Sequence, residues 1–557
     1  MCRKVVPLLT LLLALAGSLA GQMTVEQKLL DFQHLSAIYA KHYTPYEWKL
    51  EAFGFDLFDL APWLERARRT KDDLDFYDLC HEYVASLMDA HSSFSLLSNF
   101  FASLPFHADI YDGIVLIDSI TRSRLPAVQY PFEIGDELVS IDGKSIEELI
   151  RAYERYSGGA NTRSRRRRSV LRILSRPQSV IARAHETPDE SVVEIRRQSG
   201  AVESYTIAWQ KSGKPLTFVG PVPTPKAAAF VAPEPPAGVP EYLRPIYPLL
   251  RDEALDPPEI LNQGGINPVF AMPAGFRRRL SGTAADLFYS GTLEVDGTRL
   301  GFLRIPTFSP PSTVLALQQL ETEIKFFEEN TDGLIIDVMR NSGGGACYNE
   351  DVQRRLIPYV FRSMAREFRA TWSWVLSFAS SLELARQQRA EPWVIALLED
   401  RLRTVEQAYR ENRGRTGPLP LCSESIDRSP AAVVYTKPMM VLIDEFSISA
   451  ADAFPAVLQD NGRALMVGMR TMGAGGSVGA IAAGIYSESS ASVTLSMHHR
   501  KNPIVTPEYP AAPYVENIGV RPDIEVDYMT RDNLMRNGQP FADAILKLMV
   551  EHIRGQR

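Results

Sequence analysis

The chain has 557 residues, of which 45% are hydrophobic and 23% charged, and a formal net charge of −7. That length is too great for one ordinary hydrophobic core and predicts roughly two to four folding units. The composition is typical of soluble globular proteins and excludes a disordered chain or a membrane-embedded body. The acidic balance does not favour a nucleic-acid partner.

The first residues predict a secretory signal peptide. Arg3 and Lys4 precede a largely apolar run that ends near Ala16, and the small residues Ser18 and Ala20 follow, which predicts cleavage after Ala20. A retained membrane anchor is the alternative, but it needs about 20 apolar residues and this run is shorter. We therefore expect a secreted or periplasmic protein with no membrane contact after signal cleavage.

Three cysteines remain after that cleavage, namely Cys80, Cys347 and Cys422. Their odd number, wide spacing and lack of a CxxC pair argue against a disulfide framework and against a zinc site. The sequence leaves open the alternative of a single disulfide, formed in an oxidising compartment. We predict no metal and no cofactor.

The N-terminal half of the mature chain predicts a helical region followed by short strands. Apolar residues recur at three- and four-residue intervals from Thr24 to about Leu97, which favours helices. Alternating strands follow, with hairpin-type turns at Asp142-Gly143 and Ser199-Gly200. This order of strand, turn and helix resembles a PDZ-like domain, a fold that captures peptide ends by strand addition.

Two biased stretches interrupt this pattern. The run Arg163-Ser-Arg-Arg-Arg-Arg168 is interpreted as one solvated face of a short helix, with attraction of an acidic partner or proteolysis as the alternatives. From Pro215 to about Pro273 the prolines crowd together, which predicts a linker or an extended covering segment.

The C-terminal half predicts a mainly parallel sheet. A hairpin about Asp296-Gly297 and an amphipathic helix precede a continuous apolar strand at 333–340, and apolar strands recur at PMMVLID and at 464–469. This alternation implies right-handed crossovers, with functional residues at the carboxyl ends of the strands. The insertion 351–413 is interpreted as a helical cap with its three tryptophans packed inside, and a substrate clamp is the alternative.

The stretch SISAADAF places two serines where a buried strand turns into a helix. Ser449 precedes the predicted helix, where its hydroxyl, the Ala450 amide and the helix N-terminus converge. The local alternative is a helix cap, because Asp452 stands at the capping-box position. Ser447 is better placed in the turn. Gly344 belongs to a glycine run after the preceding strand, where backbone amides can point inward.

Together, the D-x-x-x-N-x-G-G strand and SISAADAFPAVLQDNGRALMVGMRTMG resemble the carboxyl-terminal processing (tail-specific) serine peptidase family. The resemblance implies a mixed α/β fold with a ClpP/crotonase-like catalytic core, and it makes Ser449 the nucleophile. Many members use a lysine base about 25 residues later, but Ala474 stands there. Asp460 resembles a family aspartate that we interpret as structural.

A second branch of this family includes the tricorn core and the chlamydial protease-like activity factor, and uses a histidine and a glutamate. This sequence matches that branch with His91 in DAHSSF and Glu516 in YVENIGVRPDI. The resemblance implies that His91 is the general base, that Glu516 orients or stabilises its imidazolium, and that the Ala450 and Gly344 amides hold the oxyanion. Outside this match, the next histidine candidates lie in an alternating strand, namely His498 and His499.

The expected activity is that of an exported serine endopeptidase acting on polypeptides. A catalytically inactive peptide- or ligand-binding protein of the same fold is the main alternative, and a hydrolase of non-peptide esters is a weaker one. By resemblance, the stretch from about Pro215 to Arg279 covers the active site until it is cleaved, and the protein forms a homodimer. Both are hypotheses.

These interpretations divide the chain into five parts: signal peptide 1–20, helical N-terminal domain with His91 at 21–105, PDZ-like domain 106–212, Pro-rich linker or covering segment 213–285, and catalytic peptidase domain 286–557 with helical insertion 351–413.

Overall fold

The computed structural model describes residues 21–217, 220, 239–253 and 263–555. The predicted signal peptide lies outside these residues, as does much of the Pro-rich stretch. None of the helices within the described ranges is long and apolar enough to cross a membrane.

The helices, in chain order, are α1 Val25–His42, α2 Tyr46–Phe53, α3 Ala61–Arg68, α4 Asp73–Ala85, α5 Ile146–Tyr153, α6 Thr162–Leu174, α7 Tyr247–Leu250, α8 Thr313–Asn330, α9 Ala346–Gln353, α10 Trp372–Gln387, α11 Pro392–Arg410, α12 Ala450–Asp460, α13 Arg531–Met535 and α14 Gln539–Ile553. The strands are β1 Ser93–Leu96, β2 Phe101–Ser103, β3 Phe106–Tyr111, β4 Ile114–Ile120, β5 Glu137–Ile141, β6 Lys144–Ser145, β7 Ser175–Pro177, β8 Glu190–Arg196, β9 Val202–Ala208, β10 Gln210–Ser212, β11 Arg251–Glu253, β12 Arg277–Leu280, β13 Tyr289–Val295, β14 Thr298–Arg304, β15 Gly333–Asp337, β16 Gly343–Gly345, β17 Phe361–Arg362, β18 Ala365–Phe368, β19 Asp427–Arg428, β20 Met439–Ile443, β21 Leu465–Gly468, β22 Val478–Ala482, β23 Ser489–Thr494, β24 Ser496–Ile504, β25 Ala512–Tyr514 and β26 Ile524–Glu525.

The N-terminal region is helical from α1 to α4, as predicted. Thr24 begins α1 with a capping box, since its hydroxyl accepts from the Gln27 amide and the Gln27 side chain accepts from Thr24. The region does not end as helix, however. β1 pairs antiparallel with β23, some 400 residues later in the chain, so this region is joined to the catalytic part through a shared sheet.

The next region is an antiparallel sheet in the order β3-β4-β5-β8-β9, with β6 paired to β5. Both predicted hairpins are confirmed. Asp142 and Gly143 take positive φ between β5 and β6, and β8 pairs with β9 around the turn that contains Gly200. The helices α5 and α6 pack against one another beside this sheet.

The C-terminal region contains a seven-stranded sheet in the order β12-β13-β14-β15-β20-β21-β26. The strands from β14 to β26 run parallel, which confirms the prediction from the apolar runs. β15 and β20 are buried along their whole length, as expected where both faces are covered. β12 is the antiparallel edge of this sheet, so the sheet begins inside the segment predicted as linker, 213–285.

The insertion 351–413 is less purely helical than predicted. It contains β17 and β18 before α10 and α11, and β18 pairs with β24 outside the insertion. Trp374 is buried, but Trp372 and Trp393 are 53% and 49% exposed. The prediction that all three tryptophans pack inside is wrong because two of them lie on the outer faces of the two helices.

One disulfide closes the segment of chain that contains this insertion. Cys347, in the first turn of α9, is bonded to Cys422, with 5.2 Å between the Cα atoms and 75 residues of sequence separation. Cys80 is a buried free thiol. The pairing that the sequence left open is therefore Cys347 with Cys422, and it links the start of α9, directly after the glycine strand β16, to the chain that follows the insertion.

We expect Cys422→Ser to lower the free energy of unfolding by about 2–4 kcal/mol, because the bridge closes a long loop in the unfolded chain. Urea unfolding with and without dithiothreitol measures this loss. The reductant should destabilise the wild type and leave the variant unchanged. Equal sensitivity of both proteins to the reductant would show that the bridge is not the source of the difference.

Candidate active site

Ser449 stands at a strained turn between β20 and α12. It is fully buried and has φ of +66° and ψ of −113°, a conformation that costs a residue with a Cβ about 1–3 kcal/mol. The Ser449 amide donates to Asp452 Oδ2 at 2.7 Å. The Ser449 hydroxyl is buried without a hydrogen-bond partner among the described residues. The Asp452 half of the predicted capping box is therefore formed, while the Ser449 hydroxyl accepts no hydrogen bond from the helix.

The turn before Ser449 is tied to the end of β15. The Ser447 hydroxyl donates to the Val338 carbonyl at 2.8 Å, and Asp444 Oδ1 lies 3.1 Å from the same hydroxyl oxygen. The Ile448 amide donates to the carbonyl of Asn341 at 3.1 Å. Ser447 is therefore a turn residue, and these bonds hold the loop of Ser449 against the glycine run.

Gly344 lies in β16, the short glycine strand that follows this loop. Its φ is +145°, and a Cβ there would stand 2.1 Å from the carbonyl carbon of Phe308. Only glycine fits such a close backbone approach. β16 packs against α12, and the Asn349 side chain donates to the Ala450 carbonyl at 3.1 Å. The backbone that contains Gly344 and the helix start that contains Ala450 are therefore neighbours.

Asp452 joins the start of α12 to a second glycine-rich turn, 471–476. It accepts from the Ser449 amide and also from the amides of Gly473 at 2.9 Å and Ala474 at 3.2 Å. Burial raises the pKa of Asp452 to about 7, although the hydrogen bonds that it accepts oppose the rise. Local sequence suggested a capping residue, but Asp452 also fixes the neighbouring turn.

His91 lies between α4 and β1 and is 2% exposed. Its amide donates to Asp89 Oδ1 at 2.7 Å, and its carbonyl accepts from the Ser492 hydroxyl on β23. Asp89 is itself buried, which opposes ionisation, but the charges of Lys49 and His91 lower its pKa. The backbone of His91 is thus held from both sides, with a carboxylate close by.

Glu516 is fully buried in the loop after β25. Its Oε2 accepts from the Gly475 amide at 3.1 Å, and its Oε1 accepts from Lys49 Nζ at 2.5 Å. Burial and the nearby charge of Asp89 raise the pKa of Glu516 to about 7, while Lys49 opposes the rise. Lys49 is also fully buried, on α2, and donates to the Met88 carbonyl at 3.1 Å.

The chain segments that contain the three predicted catalytic residues meet in one region of the fold. Ala90 and Ile448, the chain neighbours of His91 and Ser449, belong to one packed cluster that also contains Ala474. Gly475, next to Ala474, binds Glu516. The structure brings the three chain segments together around the second glycine-rich turn.

Comparison with known proteins identifies two domains in the chain. Residues 299–526 match the family described as peptidase family S41, and residues 101–216 match the PDZ domain. The chain carries a peptidase family S41 domain. Peptidases of this family are serine proteases, and the PDZ domain predicted from the alternating strands is confirmed.

Full-length relatives occur in Chlamydia. A protein of Chlamydia trachomatis serovar D is 25% identical over 611 aligned residues, covering 98% of this chain and 96% of the relative. An uncharacterised protein of Chlamydia muridarum is 26% identical over 623 aligned residues, covering 99% of this chain and 97% of the relative. The crystal structure of mature CPAF superposes with a TM-score of 0.74 at 23% identity, covering 95% of this chain and 98% of that one. At this identity the likeness establishes a shared fold.

The basic run of the PDZ region contacts the S41 domain and is not the solvated face that the sequence suggested. Arg167 is 2% exposed, and its guanidinium donates to Asp109 on β3 and to Glu445, four residues before Ser449. Arg163 donates to the same carboxylate. Burial opposes ionisation of Glu445, but the two arginines lower its pKa to about 2. The interpretation failed because the carboxylate partners come from distant segments.

The remaining residues that the sequence singled out, His498, His499 and Asp460, lie in regular elements of the fold. His498 and His499 lie in β24 as expected, and His499 Nδ1 is 3.0 Å from the Arg500 carbonyl. Asp460 accepts from the buried Arg500 guanidinium at 2.7 Å, at the end of α12. The pair of Asp460 and Arg500 joins α12 to β24.

Lys49, Asp89 and Asp452 are the site residues that sequence reasoning missed or assigned to another role. Asp89 stands two residues before His91, so proximity in sequence was one available signal. Lys49 lies in YEWKLEAF, where no local pattern distinguishes a buried lysine from an exposed one. Only the folded chain places its ammonium beside Glu516.

We expect Lys49→Met to lower the free energy of unfolding by about 3–5 kcal/mol at pH 8, because it leaves the buried Glu516 carboxylate without its cation. A carboxyl pKa raised in the folded state costs stability as the pH rises from its ordinary range through that pKa. Removing Lys49 should raise the pKa of Glu516 beyond about 7. The loss should therefore be largest above pH 7 and shrink towards pH 5.

Urea unfolding at several pH values measures this difference. Lys41→Met is the matched control, because Lys41 is an exposed lysine at the end of the neighbouring helix α1. A loss in the Lys49 variant that does not change with pH would contradict the assignment to the Glu516 carboxylate.

Proposed function

We propose that this protein is an exported serine endopeptidase that cleaves polypeptides through a Ser449 acyl-enzyme. The observation that carries the proposal is the state of Ser449 within the S41 domain: a buried, strained residue whose hydroxyl has no partner among the described residues. A polar group left unsatisfied in this way is costly, and such groups are concentrated at functional sites.

In acylation, the Ser449 hydroxyl attacks the scissile carbonyl carbon while His91 takes the hydroxyl proton. The carbonyl oxygen becomes an oxyanion, which the amides of Ala450 and Gly344 stabilise by hydrogen bonds. His91 then delivers the proton to the leaving amine. The constrained backbone of Gly344 supports this role, because donors that are already oriented need no reorganisation during the reaction.

In deacylation, His91 takes a proton from water as the water oxygen attacks the acyl carbon. His91 then returns that proton to the Ser449 oxygen as the ester C–O bond breaks and the carboxylic acid product leaves. Glu516 acts in both halves by placing negative charge near the imidazolium. Glu516 contacts Lys49 and lies near the charge of Asp89. These charged neighbours support an electrostatic role for Glu516. Lys49 and Gly475 position this carboxylate.

A part of the Pro-rich stretch supports the proposed covering role. Residues 251–253 form β11, which pairs antiparallel with β16, so Asp252 lies opposite Gly344. Extended peptides can bind proteins by adding a strand to such an edge. We propose that β11 occupies the substrate strand's place until the chain is cleaved within the Pro-rich stretch.

Export is a separate part of the proposal. It rests on the N-terminal pattern of Arg3, Lys4 and the apolar run, and the Cys347–Cys422 bridge supports it because disulfides persist mainly in oxidising compartments. The homodimer expected from the family resemblance stays a prediction.

We expect Ser449→Ala to reduce cleavage of an unfolded polypeptide by more than ~1000-fold, since no other hydroxyl replaces the nucleophile. His91→Gln should cause a loss of similar size. Ser447→Ala is the matched control: it removes a turn hydrogen bond, and it should lower stability by about 1 kcal/mol while cleavage persists. Product masses and rates measure these effects.

The alternative function, that of a catalytically inactive binding protein, predicts no cleavage. In that case the wild type and Ser449→Ala bind the same peptides with equal affinity and neither cuts them. Cleavage of ester but not amide substrates would instead favour the non-peptide hydrolase.

We expect Asp252→Pro to increase the initial rate of the uncut full-length protein, because proline cannot donate a ladder hydrogen bond and disfavours strand pairing with β16. Initial rates before and after limited proteolysis measure the effect. Full activity of the uncut wild type, with no gain from the substitution, would contradict a covering role for β11.

A further inference from the structure

A cavity of about 330 Å³ lies beside His91, between three parts of the chain. Its size falls within the range of small ligand sites. Ala90 and Ser92, the two chain neighbours of His91, both line it. Its other walls come from α4, from the chain around α6, and from the sheet β1-β23-β22. The cavity therefore opens at a junction of the helical region, the PDZ region and the S41 domain.

The floor of the cavity is one face of that sheet. Ser93 pairs with Ser492, which pairs with Ala480, and Ser95 pairs with Ser490, so these side chains share a face. Small side chains at every one of these sites leave the space open. The serines that line the cavity are Ser92, Ser93, Ser95, Ser179, Ser490 and Ser492. The floor is thus rich in hydroxyl groups.

Part of the cavity wall is cationic. Arg172, which is 7% exposed, and the exposed Arg155 line the cavity, and no carboxylate is present among the described residues that do so. Asp78, close to Arg155, accepts from the Tyr156 hydroxyl at 3.0 Å and does not line the cavity. A concave surface lined by charges of one sign attracts ligands of the opposite sign.

His81 adds a buried polar group to this wall. It is 5% exposed, and its Nε2 atom is buried without a hydrogen-bond partner among the described residues. Burial, and then the charges of Arg172 and Arg155, lower the pKa of His81 to about 3. The imidazole is therefore neutral at physiological pH. The two arginines supply the positive charge.

We propose that this cavity is a substrate subsite that binds a carboxylate of the polypeptide, with Arg155 and Arg172 as its cationic ligands. The inference rests on the proposed peptidase function, since it places the subsite next to His91. Guanidinium groups bind carboxylates by paired charge-assisted hydrogen bonds. The carboxylate comes from an acidic side chain of the substrate or from its C-terminus.

The test uses the full-length protein and matched peptide pairs that carry Glu or Gln at one position, scanned along the sequence. The measured quantity is the ratio of kcat/KM for the two members of a pair. We expect a ratio of about 10 in favour of Glu at one position in the wild type, falling towards 1 in Arg155→Met and in Arg172→Met.

Arg151→Met is the matched control, because Arg151 is an exposed arginine on the adjoining helix α5 that does not line the cavity. It should retain the wild-type ratio. Circular dichroism checks that the variants fold. If Arg172→Met does not fold because Arg172 is more buried, Arg155→Met still tests the proposal. No Glu preference at any position, or a preference that survives in both variants, would overturn the proposal.

A second pair of peptides with a free or an amidated C-terminus separates the two sources of the carboxylate. Preference for the free end, lost in Arg155→Met, assigns the cavity to the chain terminus, whereas preference for internal Glu assigns it to a side chain. Binding of the same peptides to Ser449→Ala by fluorescence anisotropy separates this inference from catalysis. If the wild type cuts nothing but the Ser449 variant binds Glu peptides in an Arg155-dependent way, the peptidase proposal fails and the subsite stands.

Discussion

The buried contact between Lys49 and Glu516 is the interaction on which the site most depends. It joins a helix near the start of the chain to a loop near its end, and both side chains are fully buried. A carboxylate in such surroundings needs a cation and hydrogen-bond donors, because desolvation of an unpaired charge costs several kcal/mol. Gly475 supplies the donor, and through it the contact extends to the turn beside Asp452. The candidate site is therefore complete only when the two ends of the chain have packed together.

Close backbone packing is the second constraint. Gly344 lies against Phe308, and Gly476 lies so near the Ser496 carbonyl that a Cβ would stand 1.7 Å from it. Ser449 keeps a positive φ that a serine rarely adopts. Strain of this kind persists only where the surroundings determine the backbone, here through the amide bond to Asp452. Rigid backbone donors and a fixed hydroxyl suit a reaction whose charge develops at one oxygen.

The sequence predicted the elements whose patterns are local. The apolar runs of β15 and β20 and the glycine turns of the hairpins determine strands and their pairing, and all of these are confirmed. It did not predict β1 as a partner of β23, β12 as an edge of the parallel sheet, or the burial of Arg167. Each of these depends on a partner far along the chain, and a short strand or a buried arginine carries no local sign of that partner.

The sequence by itself determined the family resemblance and the choice of Ser449, His91 and Glu516 as candidates. Both follow from the spacing of the motifs and from the alanine at position 474, where many members of the family have a lysine, and these are properties of the chain alone. What only the tertiary structure decided was the surroundings of those residues: the strained turn at Ser449, the pairing of Glu516 with Lys49, and the cationic cavity beside His91. The physical reason is that burial and charge pairing act between segments separated by hundreds of residues, and these distances become short only on folding.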